Sequence, residues 1–102
     1  MYLLTHSGIF NCQQFEQIDC FGESIIGISL LNPTGITLYN VDDAYKYHDI
    51  ELDHSDKHEL LDLVFASLFI NLEGKKASCK IADLELESIK ILKERHPEKF
   101  GK

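Results

Sequence analysis

The run from His54 to Gly74 restricts the fold more than any other part of the chain. Asp56 followed three residues later by Glu59 is a capping-box arrangement, in which each side chain satisfies an amide left free by the first helical turn; Ser55 is the competing cap. Gly74 suits a left-handed C-terminal cap, and Lys75 and Lys76 follow where the negative end of the helix dipole favours cations. The spacing predicts a helix from Asp56 to about Glu73. At about 100° per residue, Leu60, Leu61, Val64, Phe65, Leu68 and Leu72 share one broad stripe with Phe69 at its edge, and this is the expected core face. Leu63, Ala66 and Ile70 make a second ridge on nearly the opposite side. One sheet cannot cover both faces, so this ridge is covered by a terminal segment or forms an interface, and Leu63, Ala66 and Ile70 are the candidate interface residues.

The segments before the helix read as short strands. Ser24–Leu31 is rich in β-branched residues and is followed by Asn32-Pro33-Thr34-Gly35, a tight-turn composition. Ile36–Val41 alternates, Asp42-Asp43-Ala44 supplies a turn, and Tyr45–Leu52 suits a third strand in an antiparallel meander. Gly22 and Gly27 flank a strand and mark bulges or a sharp bend. After the helix, residues 77–81 predict a fourth strand, and residues 83–94 fit either a fifth strand or a helix. Residues 1–20 are an extended lead-in without clear period, and residues 96–102, beginning at His96-Pro97, are expected to be a solvated tail.

At 102 residues the chain is long enough for one domain and too short for two. Its 17 acidic and 10 basic residues leave a net charge of −7, which argues against direct nucleic-acid binding, since that work needs Lys and Arg facing phosphates. The imbalance is local. Residues 1–74 hold 12 acids against 2 bases, and residues 75–102 hold 8 bases against 5 acids. Asp42, Asp43, Asp49, Glu51, Asp53 and Asp56 fall within 15 residues and form the candidate acidic face, either solvating the protein or docking a basic partner. No membrane span is expected, because the longest uncharged stretch contains Asn32, Pro33, Gly35 and Asn40. The first residues lack the basic flank and apolar run of a leader, so the expected location is the cytoplasm; a secreted chain whose leader had been removed would read the same way.

Cys12, Cys20 and Cys79 are odd in number and lack zinc spacing, and are expected as small, largely buried thiols, although one pair could bridge in a secreted protein. No metal is expected; His54 and His58, four apart, are the candidates if one binds, but His54 lies before the predicted cap, so the pair need not share a helical face. No zinc pattern is completed, because Asp62 stands where an HExxH motif requires its second histidine. No nucleophile elbow, phosphate loop or dinucleotide fingerprint occurs, so neither catalytic residues nor a cofactor are expected.

The order of three antiparallel strands, a helix, then a short strand and a last strand resembles an OB-fold, a mainly β, five-stranded antiparallel barrel with its helix between strands 3 and 4. Residues 58–81, a helix ending in Gly74-Lys75 and an alternating strand, look like the matching part of binding subunits of the subtilase-cytotoxin type. That resemblance implies a toxin-related, ring-forming subunit that binds glycans without catalysis. The resulting expectation is one OB-like domain over residues 1–102, a non-enzymatic acidic module binding itself, another protein or a ligand. One rival is a phage or inter-bacterial inhibitor or immunity protein docking a basic nucleic-acid-handling enzyme; the other is a metal-assisted hydrolase.

Overall fold

A computed structural model describes residues 1–100. The first twenty residues, expected as a loose lead-in, are built into sheet. β1 (Tyr2–Thr5) and β2 (Gly8–Asn11) form an antiparallel hairpin, and a 3-10 turn at Cys12–Gln14 carries the chain out of it. β3 (Gln17–Phe21), β4 (Ser24–Ile28) and β5 (Ile36–Asn40) make a second antiparallel sheet in that order. α1 (Asp43–His48) and α2 (His54–Glu73) follow, and β6 (Ser78–Lys80) returns to the first sheet parallel to β1. α3 (Ile81–Arg95) and the single-turn α4 (Pro97–Phe100) complete the described chain.

This architecture corrects the expected OB-like barrel. A barrel closes only if its strands pair around one ring. Here both edges of β1 are taken, by β2 and by β6, while β3, β4 and β5 pair among themselves. The result is an α+β fold with two three-stranded sheets. α2 rests on β3 and β4, α3 on β1 and β6, and the two helices pack on each other. One apolar core runs through both layers, with Leu3, Ile25, Val64, Leu68, Ile81 and Leu92 almost fully enclosed.

Three segments depart from expectation for identifiable reasons. Tyr45–Leu52, expected as a strand, is the last part of α1 and a loop. α1 has six residues, too few for a helical period to show, and Asp49 ends it in a left-handed conformation at φ 52°. Residues 83–94 lie within α3. Its inner stripe of Ile81, Leu84, Glu85, Ser88, Ile89 and Leu92 has helical spacing, but a glutamate and a serine interrupt the apolar pattern. The expected tail includes α4, where Phe100 packs against the core and Lys99 reaches Asp53 and Asp56; residues 101 and 102 lie outside the described residues.

The caps of α2 also shift. Asp53, not Asp56 or Ser55, is the N-cap, accepting from the Asp56 amide at 2.8 Å, so the helix begins at His54. At the other end Gly74 stays right-handed, and Lys75 takes the left-handed turn at φ 55°. The expected core stripe holds: Leu60, Leu61, Val64 and Leu68 are buried and Phe65 and Leu72 half-buried. Gly27 has a role other than a bend. A Cβ there would stand 2.7 Å from the Phe15 ring, so the glycine makes room for that ring to lie on β4. The bulge is one strand away: Ile25 pairs with Tyr39 and Ile26 with Thr37, leaving Leu38 as the extra residue.

Candidate functional site

The bulge matters because it turns two consecutive residues, Leu38 and Tyr39, inward. The Tyr39 hydroxyl donates to Glu85 Oε2 at 2.5 Å. Glu85 has no exposed surface, and its Oε1 lies 3.0 Å from both His6 Nε2 and His48 Nε2. A carboxylate oxygen only accepts, so with Glu85 ionised both imidazoles donate from Nε2. Burial pushes the Tyr39 phenol far above its usual range, and the Glu85 hydrogen bond and charge push it further, so it remains a donor.

Local structure sets each member of this cluster. His6 sits in the β1–β2 turn, where Thr5 Oγ1 accepts from the Ser7 and Gly8 amides, each at 3.1 Å. Its ring stacks on Tyr47 with centroids 4.0 Å apart. His48 is the last residue of α1, and Glu85 faces inward one turn into α3. Nearby Asp43 has its carboxyl raised, first by burial and further by Glu85, against the lowering effect of His6. The Ser88 hydroxyl, one turn past Glu85, is buried without a hydrogen-bond partner among the described residues. The composition is that of proton-transfer chemistry, but both Glu85 oxygens are occupied and only the imidazole edges reach the surface. The cluster joins a turn, a strand and two helices that are distant in sequence.

The six acidic candidates are not brought together as one open face. Asp42 pairs with Lys57 at 3.0 Å. Asp43 is half-buried beside the glutamate cluster. Asp53 and the buried Asp56 share Lys99, each at 3.2 Å. Asp49 and Glu51 are exposed and without an ion pair among the described residues. Glu51 borders a cleft of about 390 Å³ with Val41, Asp42, Tyr45, Ile50 and Leu52, where Lys57 also lies.

The candidate interface residues divide. Leu63 is half-buried against the core, whereas Ala66 and Ile70 face solvent, Ile70 with 68% of its surface exposed. Beside them Phe69, also 53% exposed, borders a groove of about 260 Å³ lined by Phe15, Ile18, Phe65 and Leu72. Leu30 and Leu31 stand almost fully exposed in the β4–β5 loop, where they line a depression that shares Glu16 with this groove.

The metal candidates do share a helical face, because α2 starts at His54. Their Nε2 atoms lie 3.2 Å apart, and both residues are exposed. A second group, Asp56, Glu59 and His96, also gathers ligand atoms, but Glu59 is held by Arg95 at 3.0 Å and His96 at 2.8 Å, and Asp56 by Lys99. All three cysteines are free; Cys12 and Cys79 are buried, and burial followed by nearby Asp62 and Asp19 raises the Cys20 thiol to about 11. No described helix is long and apolar enough to cross a membrane.

Comparisons with protein-family models, curated proteins and solved structures gave no match. The reading of the site therefore rests on its geometry. His6, Tyr39, Tyr47 and Glu85 were outside the sequence-based candidates. The spacing of Ile81, Leu84, Ile89 and Leu92 signals Glu85, by placing it on the same helical stripe, and nothing comparable signals His6, Tyr39 or Tyr47.

Proposed function

We propose that this chain is a non-enzymatic interaction module whose partner is a second copy of itself, joined through the solvent face of α2. The observation that carries the reading is the exposure of Phe69 and Ile70 beside the groove lined by Phe15, Ile18, Phe65 and Leu72. A projecting apolar pair next to a concavity is self-complementary under a two-fold axis, each copy filling the groove of the other. Full burial of such side chains contributes about 1.5–3 kcal/mol each. Charge agrees with the geometry: two antiparallel copies of α2 crossing at Phe69 set Lys75 and Lys76 of one near Asp62 of the other. The enclosed Glu85 supports the same reading, since a substrate has no route to its oxygens.

Sedimentation equilibrium across a concentration series tests it. The expected mass is twice 11.7 kDa, falling to one chain when Phe69→Ser and Ile70→Glu are combined, with unchanged circular dichroism. A wild-type mass of one chain at every concentration overturns the proposal.

The cleft at Glu51 favours a second reading, an inhibitor that docks a basic nucleic-acid-handling enzyme. Tyr45 and Ile50 offer apolar walls and Glu51 an unpaired carboxylate, a combination suited to a lysine or arginine side chain. On this reading a lysine-rich peptide binds in low salt, and Asp49→Lys with Glu51→Lys removes the binding while leaving the sedimentation mass unchanged.

A further inference from the structure

We propose that His54 and His58 form a surface site for a divalent late transition metal, Zn²⁺, Ni²⁺ or Cu²⁺, held by two imidazole nitrogens with water in the remaining positions. Residues four apart on a helix lie one above the other, and both rings here are helical because Asp53 caps the helix one residue before His54. Two nitrogens bound at about 2.0–2.1 Å to one tetrahedral ion stand about 3.3 Å apart. The observed Nε2–Nε2 separation is 3.2 Å, so little rearrangement is needed to admit the ion. The rings are edge-to-face with centroids 4.4 Å apart, farther than the two Nε2 atoms, so the nitrogens are on the near sides of the pair.

Three further features fit a cation of this class. Both histidines are exposed, so the outer coordination positions open to water. With Lys99 and Arg95 reaching into the segment, residues 42–62 still carry 8 acids against 4 bases, which raises the local concentration of cations. Imidazole nitrogen selects the late transition metals over Mg²⁺ and Ca²⁺, which require oxygen. The Asp56, Glu59 and His96 group is the competing location, and there Lys99 and Arg95 already occupy the oxygens.

The test is isothermal titration with Zn²⁺ and paramagnetic broadening of histidine ring resonances by Ni²⁺, on the full chain. One ion per chain is expected, with the His54 and His58 ring signals broadened first. His54→Ala and His58→Ala should each weaken binding on the order of 100-fold, because the second ligand then no longer acts at high effective concentration. His96→Ala should leave it unchanged, and Mg²⁺ should not compete. The proposal is overturned if neither probe detects binding, which leaves an imidazole–imidazole hydrogen bond only. It is equally overturned if both alanine variants bind as the wild type does, or if His96→Ala alone removes binding. Both histidines are exposed, and circular dichroism checks that each variant is folded.

Discussion

Glu85 shows how much can depend on one enclosed charge. Removing it leaves the enclosed Tyr39 hydroxyl and two imidazoles, which meet water only at their edges, without their acceptor. Glu85→Ala is expected to cost about 3–5 kcal/mol and Tyr39→Phe about 1–3 kcal/mol. Since the two share one hydrogen bond, the double variant should fall short of the sum, which thermal or urea denaturation of the four proteins will measure. A fully additive result would mean that the bond does not contribute. Gly27→Ala is a second residue-scale case. Its Cβ meets the flat of the Phe15 ring at 2.7–2.8 Å, so the ring has to move, at an expected cost of about 1–3 kcal/mol in the same assay. Neither effect is readable from residue types alone. A glutamate is ordinarily a surface residue, and Glu85 is enclosed only because partners from positions 6, 39 and 48 converge on it.

Among the elements, α2 is the readable one, because its length lets the helical period repeat five times and its apolar stripe is unbroken. α3 is not, because Glu85 and Ser88 occupy its inner stripe. α1 and α4 are too short to carry a period. β6 has the alternation of a strand, but nothing local tells a strand whether its neighbour will run parallel or antiparallel. The docking of α4 and the end of α3 on the start of α2 adds an ionic clamp to the apolar contact of Phe100: Lys99 holds Asp53 and Asp56, and Arg95 and His96 hold Glu59. The hydrogen bond from His96, then that from Arg95, keeps the Glu59 carboxyl below its ordinary value, and the Asp56 amide, then Lys99, does the same for Asp53. Carboxyls depressed in the folded state stabilise it fully above their ordinary pKa near about 4 and lose that contribution as pH falls below it. Thermal stability is therefore expected to be level from neutral pH to about 5 and to drop below about 4. In Glu59→Gln the drop should be smaller and the neutral-pH stability lower. An unchanged acid limb in that variant would count against this account of the clamp.

For the whole molecule, the expected barrel failed where long-range pairing decides. Element order is a local property and is compatible with several closures. The choice was made by β1, whose free edge is taken by a strand 76 residues away. The glutamate cluster then connects the two sheets at side-chain level, since His6 belongs to the first and Tyr39 to the second. Charge is divided by the same logic. The acidic first three-quarters is met by the basic last quarter: Lys99 neutralises Asp53 and Asp56 of the candidate acidic face, and Arg95 neutralises Glu59 beside it.

The parallel pairing of β1 with β6 also bears on the order in which the chain can mature. During synthesis the amino-terminal hairpin leaves the ribosome long before residues 78–80 exist, and its unfilled edge stays open throughout that interval. Helix α3, which brings the carboxylate for His6, emerges later still. The first sheet and the glutamate cluster can therefore settle only after residues 78–85 have emerged, and a nascent chain stalled before β6 presents an adhesive strand to its neighbours.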